Sequence, residues 1–359
     1  MLFKKNRDQR VSNFLKSKGL EVIELSFNQE MQLSEDCRIT CIKDGFYDSA
    51  LLVVTPDLRI LNLNDCEIVS ENRATKIKRL VGKIDVLLGQ FSYAAWKGGK
   101  NNIEWRKDAA KKKIKTLKLQ VKILRPKYLI PFASFVYFSN PRNFYLNDSI
   151  NRPIDIFNAL RDFISVVIMK PFDVFSGSWS ELDNEAAIDY WARKYESISP
   201  RDDSSKAISF EALSESFINY RTRISNNNNL QLMKLVSLLS PVKAFQPVDF
   251  FLDDSRIFIR LDIFGDHLEQ TSGENFPDLI IPSEQFNFVL KNSFGFDTLT
   301  VNGCFEDGRL GGFLKAAKTL AIENLNNLSF KFGWNLIFNL NLILIFLKKI
   351  FVVRKQLSI

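Results

Sequence analysis

The sequence predicts a mixed α/β fold of the α+β kind, with more than one domain, and three observations carry that expectation. At 359 residues the chain is longer than one ordinary core supports, so about two domains are expected. A hydrophobic content of 46% beside 25% charged residues describes a folded chain and excludes a disordered one. Short apolar runs ending in turn residues first follow one another directly and later alternate with helical patterns. That order suggests a mixed sheet covered by helices.

Residues 9–27 read as a helix stopped at Gly19, followed by a strand from Leu20 to Leu25. Arg38 to Ile42 and Ala50 to Val54 read as strands, and Pro56-Asp57 turns the second into a strand over Arg59 to Leu63. Ile84 to Phe91 and Tyr128 to Phe132 are further strands, separated by a basic helix over 107–124. Beyond Pro153 the expectation is an apolar helix from Ile154 to Met169, then a helix from Glu185 to Tyr195 carrying Trp191. Ser197 to Ser205 reads as a polar linker and Asn226 to Asn229 as a loop before a helix from Leu230 to Ser240. Val248–Leu252 and Arg256–Ile263 form a strand pair turned at Asp253-Asp254-Ser255, and 283–291 is a short helix. The division expected is a domain over 1–150, a helical and strand region over 151–330, and an apolar, basic tail helix over 331–359.

Composition excludes several chemistries. His267 is the one histidine, so a histidine-rich metal site cannot be assembled, and with no Gly-x-Ser-x-Gly elbow a serine or cysteine triad is not expected. Cys37, Cys41, Cys66 and Cys304 form no CxxC pair, which argues against a zinc ribbon and reads as lone thiols. The net charge is +8, with ten Lys and Arg residues from Arg106 to Lys127 against the one acid Asp108. Ala109, Ala110, Ile114, Leu117, Val121 and Leu124 recur there at helical spacing, so the lysines form the outer face of an amphipathic helix. That face is either simply solvated or a surface for an anionic partner. No aromatic residue interleaves its lysines, which argues against nucleic acid. The chain opens without a secretory segment and is expected to be cytoplasmic.

Near the C-terminus, Trp334 to Leu347 is apolar, interrupted by Asn335, Asn339 and Asn341 and followed by Lys348-Lys349. It is shorter than the roughly 20 residues that span a bilayer. A helix packed on the protein, or a contact between 334–355 and a membrane surface, is expected in preference to a span.

The candidate site starts from Asp65, delivered at the end of an apolar strand, where a carboxylate is costly to bury without a partner. Cys66 follows it and would face the opposite side, toward the core. Leu61-Asn62-Leu63-Asn64-Asp65-Cys66, the segment from Asp85 through Gly89-Gln90-Phe91-Ser92-Tyr93 to Trp96, and Pro131-Phe132-Ala133-Ser134-Phe135 together resemble metallo-β-lactamase-fold proteins. Within that superfamily the similarity is to the branch of CMP-sialic acid hydroxylase and the bacterial UDP-N-acetylmuramate hydroxylase-like proteins. It covers roughly 1–150 and, more loosely, 281–299.

The resemblance implies a partial αββα sandwich with a C-terminal mixed α/β region, and a metal-dependent hydrolase or hydroxylase acting on an anionic sugar or nucleotide sugar. In the family, zinc or iron is held by an HxHxDH motif, later histidines and a bridging aspartate, and Asp65 matches that aspartate. The sequence has no HxHxDH, and Asn140 in Ser139-Asn140-Pro141 stands where the family tends to carry a histidine. The expectation is therefore that the N-terminal half of the sandwich is missing and that this chain alone binds no metal and is inactive. It would be either a non-enzymatic binding or scaffold protein, or half of an enzyme completed by a partner chain. Gln90 and Ser92 would offer hydrogen bonds to substrate, Trp96 an aromatic wall and Lys97 or Lys100 a charge, unless Trp96 and Tyr93 only pack the sheet edge. An oxygen-only metal site from Asp65, Asp85, Asn143 and Asp148 has no support in spacing, and Gly98-Gly99-Lys100 lacks the spacing of a phosphate loop.

Overall fold

The computed structural model describes residues 1–5, 9–45, 48–201, 207–239, 243–273, 276–327 and 330–333. The segment 334–355 and nearly all of the expected tail helix lie outside the described residues. Among the described residues no helix is long and apolar enough to cross a membrane. The α/β class expected from the sequence is what the structure holds. The described residues divide into two units that interleave in sequence: those of 1–94, 106–137 and 147–199 form the first, and those of 95–105, 138–146 and from 200 onward the second. The first unit thus runs to about 200, with two early excursions of the chain into the second.

In the first unit β1 (Leu2–Lys4), α1 (Arg10–Ser17) and β2 (Ile23–Leu25) precede the main sheet, with β1 and β2 paired in parallel. The main sheet opens with an antiparallel meander, β3 (Glu30–Ser34), β4 (Cys37–Asp44), β5 (Asp48–Val54) and β6 (Arg59–Asn62). It then becomes parallel. Helix α2 (Glu71–Val81) carries the chain to β7 (Val86–Gly89), α3 (Ile103–Leu124) precedes β8 (Tyr128–Pro131), and α4 (Pro153–Leu160) leads to β9 (Ser165–Val166). Helix α5 (Glu181–Glu196) follows, opened by Ser180 and Asp183 in a reciprocal capping box.

Burial explains this order. Leu61, Leu87 and Leu129 lie on adjacent parallel strands and have no exposed surface, as expected where helices cover a sheet. Leu117 and Val121 of α3 join them in one apolar core with Ile77 of α2 and Ile156 of α4. Edge strand β3 is short, almost wholly exposed, polar at Glu30 and Gln32, and bulged between Gln32 and Ser34. These devices keep an edge from pairing with another chain. The helix expected from Ile154 to Met169 ends at Leu160. Ser165 and Val166 instead pair with Tyr128 and Leu129, and the run Ile164 to Ile168, β-branched at every position but Ser165, suits that extended course.

The second unit holds α6 (Phe210–Asn227), α7 (Leu230–Leu239), the hairpin β10 (Val248–Leu252) and β11 (Ile257–Leu261), β12 (Glu269–Thr271) and β13 (Leu279–Ile281). Helices α8 (Ser283–Lys291) and α9 (Gly295–Asn302), strand β14 (Glu306–Asp307), and helices α10 (Gly312–Leu320) and α11 (Ile322–Asn327) complete it. Its five strands run in the order β12, β11, β10, β13, β14, with β10 and β13 parallel and the other pairs antiparallel. Sequence reasoning did not find α6, whose apolar positions Leu213, Phe217, Tyr220 and Ile224 are buried.

Candidate functional site

In an open α/β sheet the carboxyl ends of the parallel strands are where a ligand site forms. In the first unit that end carries Asp65 after β6 and Gln90 after β7. Leu63, just past β6, is buried, and the chain then turns at Asn64, whose φ is +45°, so Asp65 is exposed to solvent. The expectation of a carboxylate delivered by its strand is corrected here: Leu63, Asn64 and Asp65 separate β6 from Cys66, and Asp65 is an exposed turn residue. Its Oδ1 accepts a hydrogen bond of 2.5 Å from Gln90 Nε2, while Gln90 Oε1 accepts one of 3.2 Å from Lys113 Nζ. Lys113 also lies 3.4 Å from Glu67. The polar tip of β6 is therefore tied to β7 and α3 by a chain of side chains running Asp65, Gln90, Lys113, Glu67.

The charge around this tip is mostly negative, which sequence reasoning missed. Asp44 and Asp48 face each other at the end of the β4–β5 hairpin. Arg73 Nη2 donates to Asp44 Oδ2 at 2.5 Å. Burial pushes the Asp48 carboxyl above its ordinary range, and the charges of Asp65, Asp44 and Glu67 add to that effect against Lys4. Cys66 is buried in the apolar core, and burial together with Asp44 and Asp48 pushes its thiol up to about 12, so it stays protonated and inert at neutral pH. The signal for Asp44 and Asp48 was only a hairpin with an acid at each end, which sequence alone reads as a solvated turn.

The remaining expected residues separate. Ser92 is buried in the first unit, where its Oγ accepts from the Asn151 backbone N–H at 3.0 Å. It is a core hydrogen-bond acceptor, in place of the substrate contact expected. Trp96, Lys97 and Asn140 belong to the second unit. Trp96 is 4% exposed, with ring centroids 4.5 Å from Phe313, 4.9 Å from Phe305 and 5.5 Å from Trp105, so it fills a core and forms no open wall. Lys97 is half-buried, and Lys100 is ion-paired to Glu306 at 2.7 Å. Asn140 stands in a loop, its Oδ1 accepting from Arg142 N at 2.9 Å and its own N–H donating to Asn143 Oδ1 at 3.1 Å. The oxygen donors weighed together from sequence each have a local partner: Asp85 has Lys127 at 2.8 Å, Asp148 has Arg106, and Asn143 donates to Asn302 O at 2.6 Å. Lys127 and the Arg59 backbone N–H hold the Asp85 carboxyl below its ordinary range against a partial desolvation.

No family model and no curated protein matches the chain. Among solved structures it is similar to CmlA, a diiron β-hydroxylase from Streptomyces venezuelae, at a TM-score of 0.33 and 12% identity, over 46% of this chain and 37% of that one. A point mutant of the CmlA β-hydroxylase matches over the same shares at a TM-score of 0.34 and 10% identity. The chain thus spans little more than a third of the length of these proteins. The metallo-β-lactamase-like reading remains a resemblance carried by the three sequence tracts.

A centre of two irons or two zincs needs imidazole and carboxylate donors converging on one point. Among the described residues no group of three or more His, Cys, Asp or Glu side chains is placed to hold a metal ion. Asp65 is engaged by an amide, Asn140 by a backbone N–H, and exposed His267 by its neighbour Asp266 at 2.8 Å. The residues present do not fit such a centre.

Proposed function

We propose that this chain is a non-enzymatic binding protein on an α/β scaffold of metallo-β-lactamase-like descent, with no metal-dependent turnover of its own. The observation that carries the reading is the Asp65–Gln90–Lys113 chain. The carboxylate in the position of the family's bridging ligand is satisfied by a side-chain amide that a lysine in turn orients. An ammonium offers a metal ion no donor and an amide oxygen is a poor one for zinc or iron, and the one imidazole of the sequence, His267, is held by Asp266. The ligand expected from the resemblance is an anionic sugar or nucleotide sugar. Asp44, Asp48 and Glu67 stand near Asp65, and Arg73 and Lys113 are already paired with Asp44 and Glu67, so this tip offers an anion no free counter-charge among the groups named. The alternative of a partner chain completing the sheet gains nothing from β3, whose short, polar and bulged edge resists strand addition.

Metal analysis of the purified chain after incubation with zinc or iron tests the proposal, together with assays on generic ester and phosphodiester substrates. The expected result is metal well below one equivalent and no turnover above background. Turnover that disappears in Asp65→Ala would show the chain to be an enzyme, and stoichiometric metal without turnover would overturn the metal-free reading of the site.

A further inference from the structure

In the second unit a pocket of about 340 Å³ is lined by Lys243, Gln246, Gly311, Leu314, Lys315 and Lys318. That volume is within the range of small-ligand sites. The pocket lining includes three lysines, and the carboxylates of Asp278 and Asp249 stand behind one of them, Lys315. We propose that this pocket binds a phosphate-type anion, with Lys243, Lys315 and Lys318 as its counter-charges and the Gln246 side chain at its wall. The assignment stands whether or not Asp65 meets a metal.

The pocket is held in shape by contacts behind its walls. Lys315 Nζ is anchored at 2.7 Å by Asp278, a fully buried carboxylate that also accepts from Arg309 at 2.5 Å. Asp249 lies 3.9 Å from the same ammonium and is paired with Arg260, so Lys315, Arg309 and Arg260 face two carboxylates and Lys315 is fixed with one positive charge in excess. A lysine already held loses less rotamer freedom when an anion arrives. The glycines on either side of Arg309 let the backbone press close to the same strand end: a Cβ at Gly312 would stand 2.0 Å from Asp278 O, and one at Gly308 2.3 Å from Pro277 O. Gln246 Nε2 is held at 2.9 Å by Ser237 Oγ on α7, and Gln246 O accepts from Thr319 Oγ1 on α10 at 2.8 Å. Lysine is a compact point charge suited to phosphate. The N–H groups that open α10 are not part of the site, because Asp307 Oδ1 accepts from Phe313 N at 2.6 Å and Arg309 O from Gly312 N at 3.0 Å.

A phosphate group could come free or on a lipid headgroup. The lipid source is worth an arm of the test because Leu238 and Leu239, just past Ser237 on α7, are 77% and 74% exposed. The full chain is titrated with inorganic pyrophosphate by calorimetry, and floated with phosphatidylcholine vesicles with and without phosphatidic acid. Lys243→Glu, at an exposed position, and the pair Lys243→Gln with Lys318→Gln are compared with a control pair on the outer face of α3, Lys111→Gln with Lys112→Gln. The expected result is saturable binding of one pyrophosphate, weakened about tenfold by the pocket variants and unchanged by the control pair. Flotation that needs phosphatidic acid and is lost in the pocket variants would make the lipid headgroup the source. Pyrophosphate binding without flotation would make it a soluble phosphate. No binding of either probe, or binding weakened equally by pocket and control variants, would overturn the assignment.

Discussion

The Arg106 guanidinium is wholly buried and grips the Asp148 carboxylate through two nitrogens, Nε at 2.9 and 3.0 Å and Nη2 at 2.6 Å. This pair joins the first turns of α3 to the segment before α4, and it explains why an arginine in a strongly basic helix faces inward. Burial alone would raise the Asp148 carboxyl, but hydrogen bonds from Arg106 and Ser149 outweigh it and hold the group below its ordinary range.

Removing one partner leaves the other charge stranded. Asp148→Asn is expected to destabilise the chain toward the low end of the about 3–5 kcal/mol typical of a broken buried pair, because Asp148 keeps 29% of its side chain exposed. The sign of its pH dependence follows from the lowered folded pKa. The stabilisation is fully present above the unfolded carboxyl value of about 3.9 and is lost as pH falls through the lower folded value. Denaturant unfolding of both proteins from neutral pH down to about pH 2.5 should show a constant gap that closes only at the acid end. A gap independent of pH would mean that the carboxylate charge is not what holds Arg106.

Asp307 is expected to behave in the opposite way. Burial pushes its carboxyl up to about 6, with the nearby Asp278 adding to the effect against the Phe313 N–H that favours the ionised form. A raised folded pKa means the native state holds a proton that the unfolded chain has released, so stability falls as pH rises from about 4 to about 6. Asp307→Asn keeps an oxygen to accept from Phe313 N–H and removes the titration. Thermal midpoints of the wild type should drop relative to this variant across that window and run parallel to it above. A constant difference from pH 4 to 7 would show that Asp307 does not titrate there.

The loop before α10 separates two roles of glycine. Gly311 has φ +80° with open space around it, so Gly311→Ala meets only the left-handed backbone penalty of roughly 1–2 kcal/mol. Gly312→Ala instead drives a methyl onto Asp278 O, which neither backbone can readily avoid, and is expected to cost about 3 kcal/mol or more. Equal losses in chemical denaturation would mean that the loop relaxes freely and that Asp278 is not pinned.

Much of the first unit is legible in sequence because its central parallel strands β7 and β8 are buried or half-buried along their whole length. Val86 to Gly89 and Tyr128 to Pro131 announce themselves as short apolar runs, and the spacing of Ala110, Leu117, Val121 and Leu124 gives the inner face of α3. The end of α4 at Leu160 is not legible, since a continuous apolar run serves equally as helix or strand and only pairing with β8 decides. Helix α6 hides its core positions among Ser, Asn and Arg. The candidate site was readable as residue types and not as geometry: Asp65 and Gln90 do meet, but Lys113 completes their network from a helix surface that the sequence presents as one lysine among many. Ser92 shows the converse, a polar residue after a strand whose hydroxyl is consumed by the Asn151 backbone.

Trp96 is where a binding role and a packing role make opposite predictions. The indole has 4% of its surface exposed, it is packed by Phe305, Phe313 and Trp105, and its Nε1–H is buried without a hydrogen-bond partner among the described residues. As packing, its truncation to alanine should cost about 3–5 kcal/mol. Trp96→Phe should cost much less, because losing part of the ring's area is offset by removing an unsatisfied N–H. If the indole instead served as a wall for a ligand, Trp96→Ala would leave stability nearly unchanged. Denaturant unfolding of the two variants separates these outcomes, and a Trp96→Phe loss as large as that of Trp96→Ala would show that the N–H is satisfied after all. The buried position of the ring, at the end of the loop expected to carry substrate contacts, moves that loop from the binding account into the folding account of the second unit.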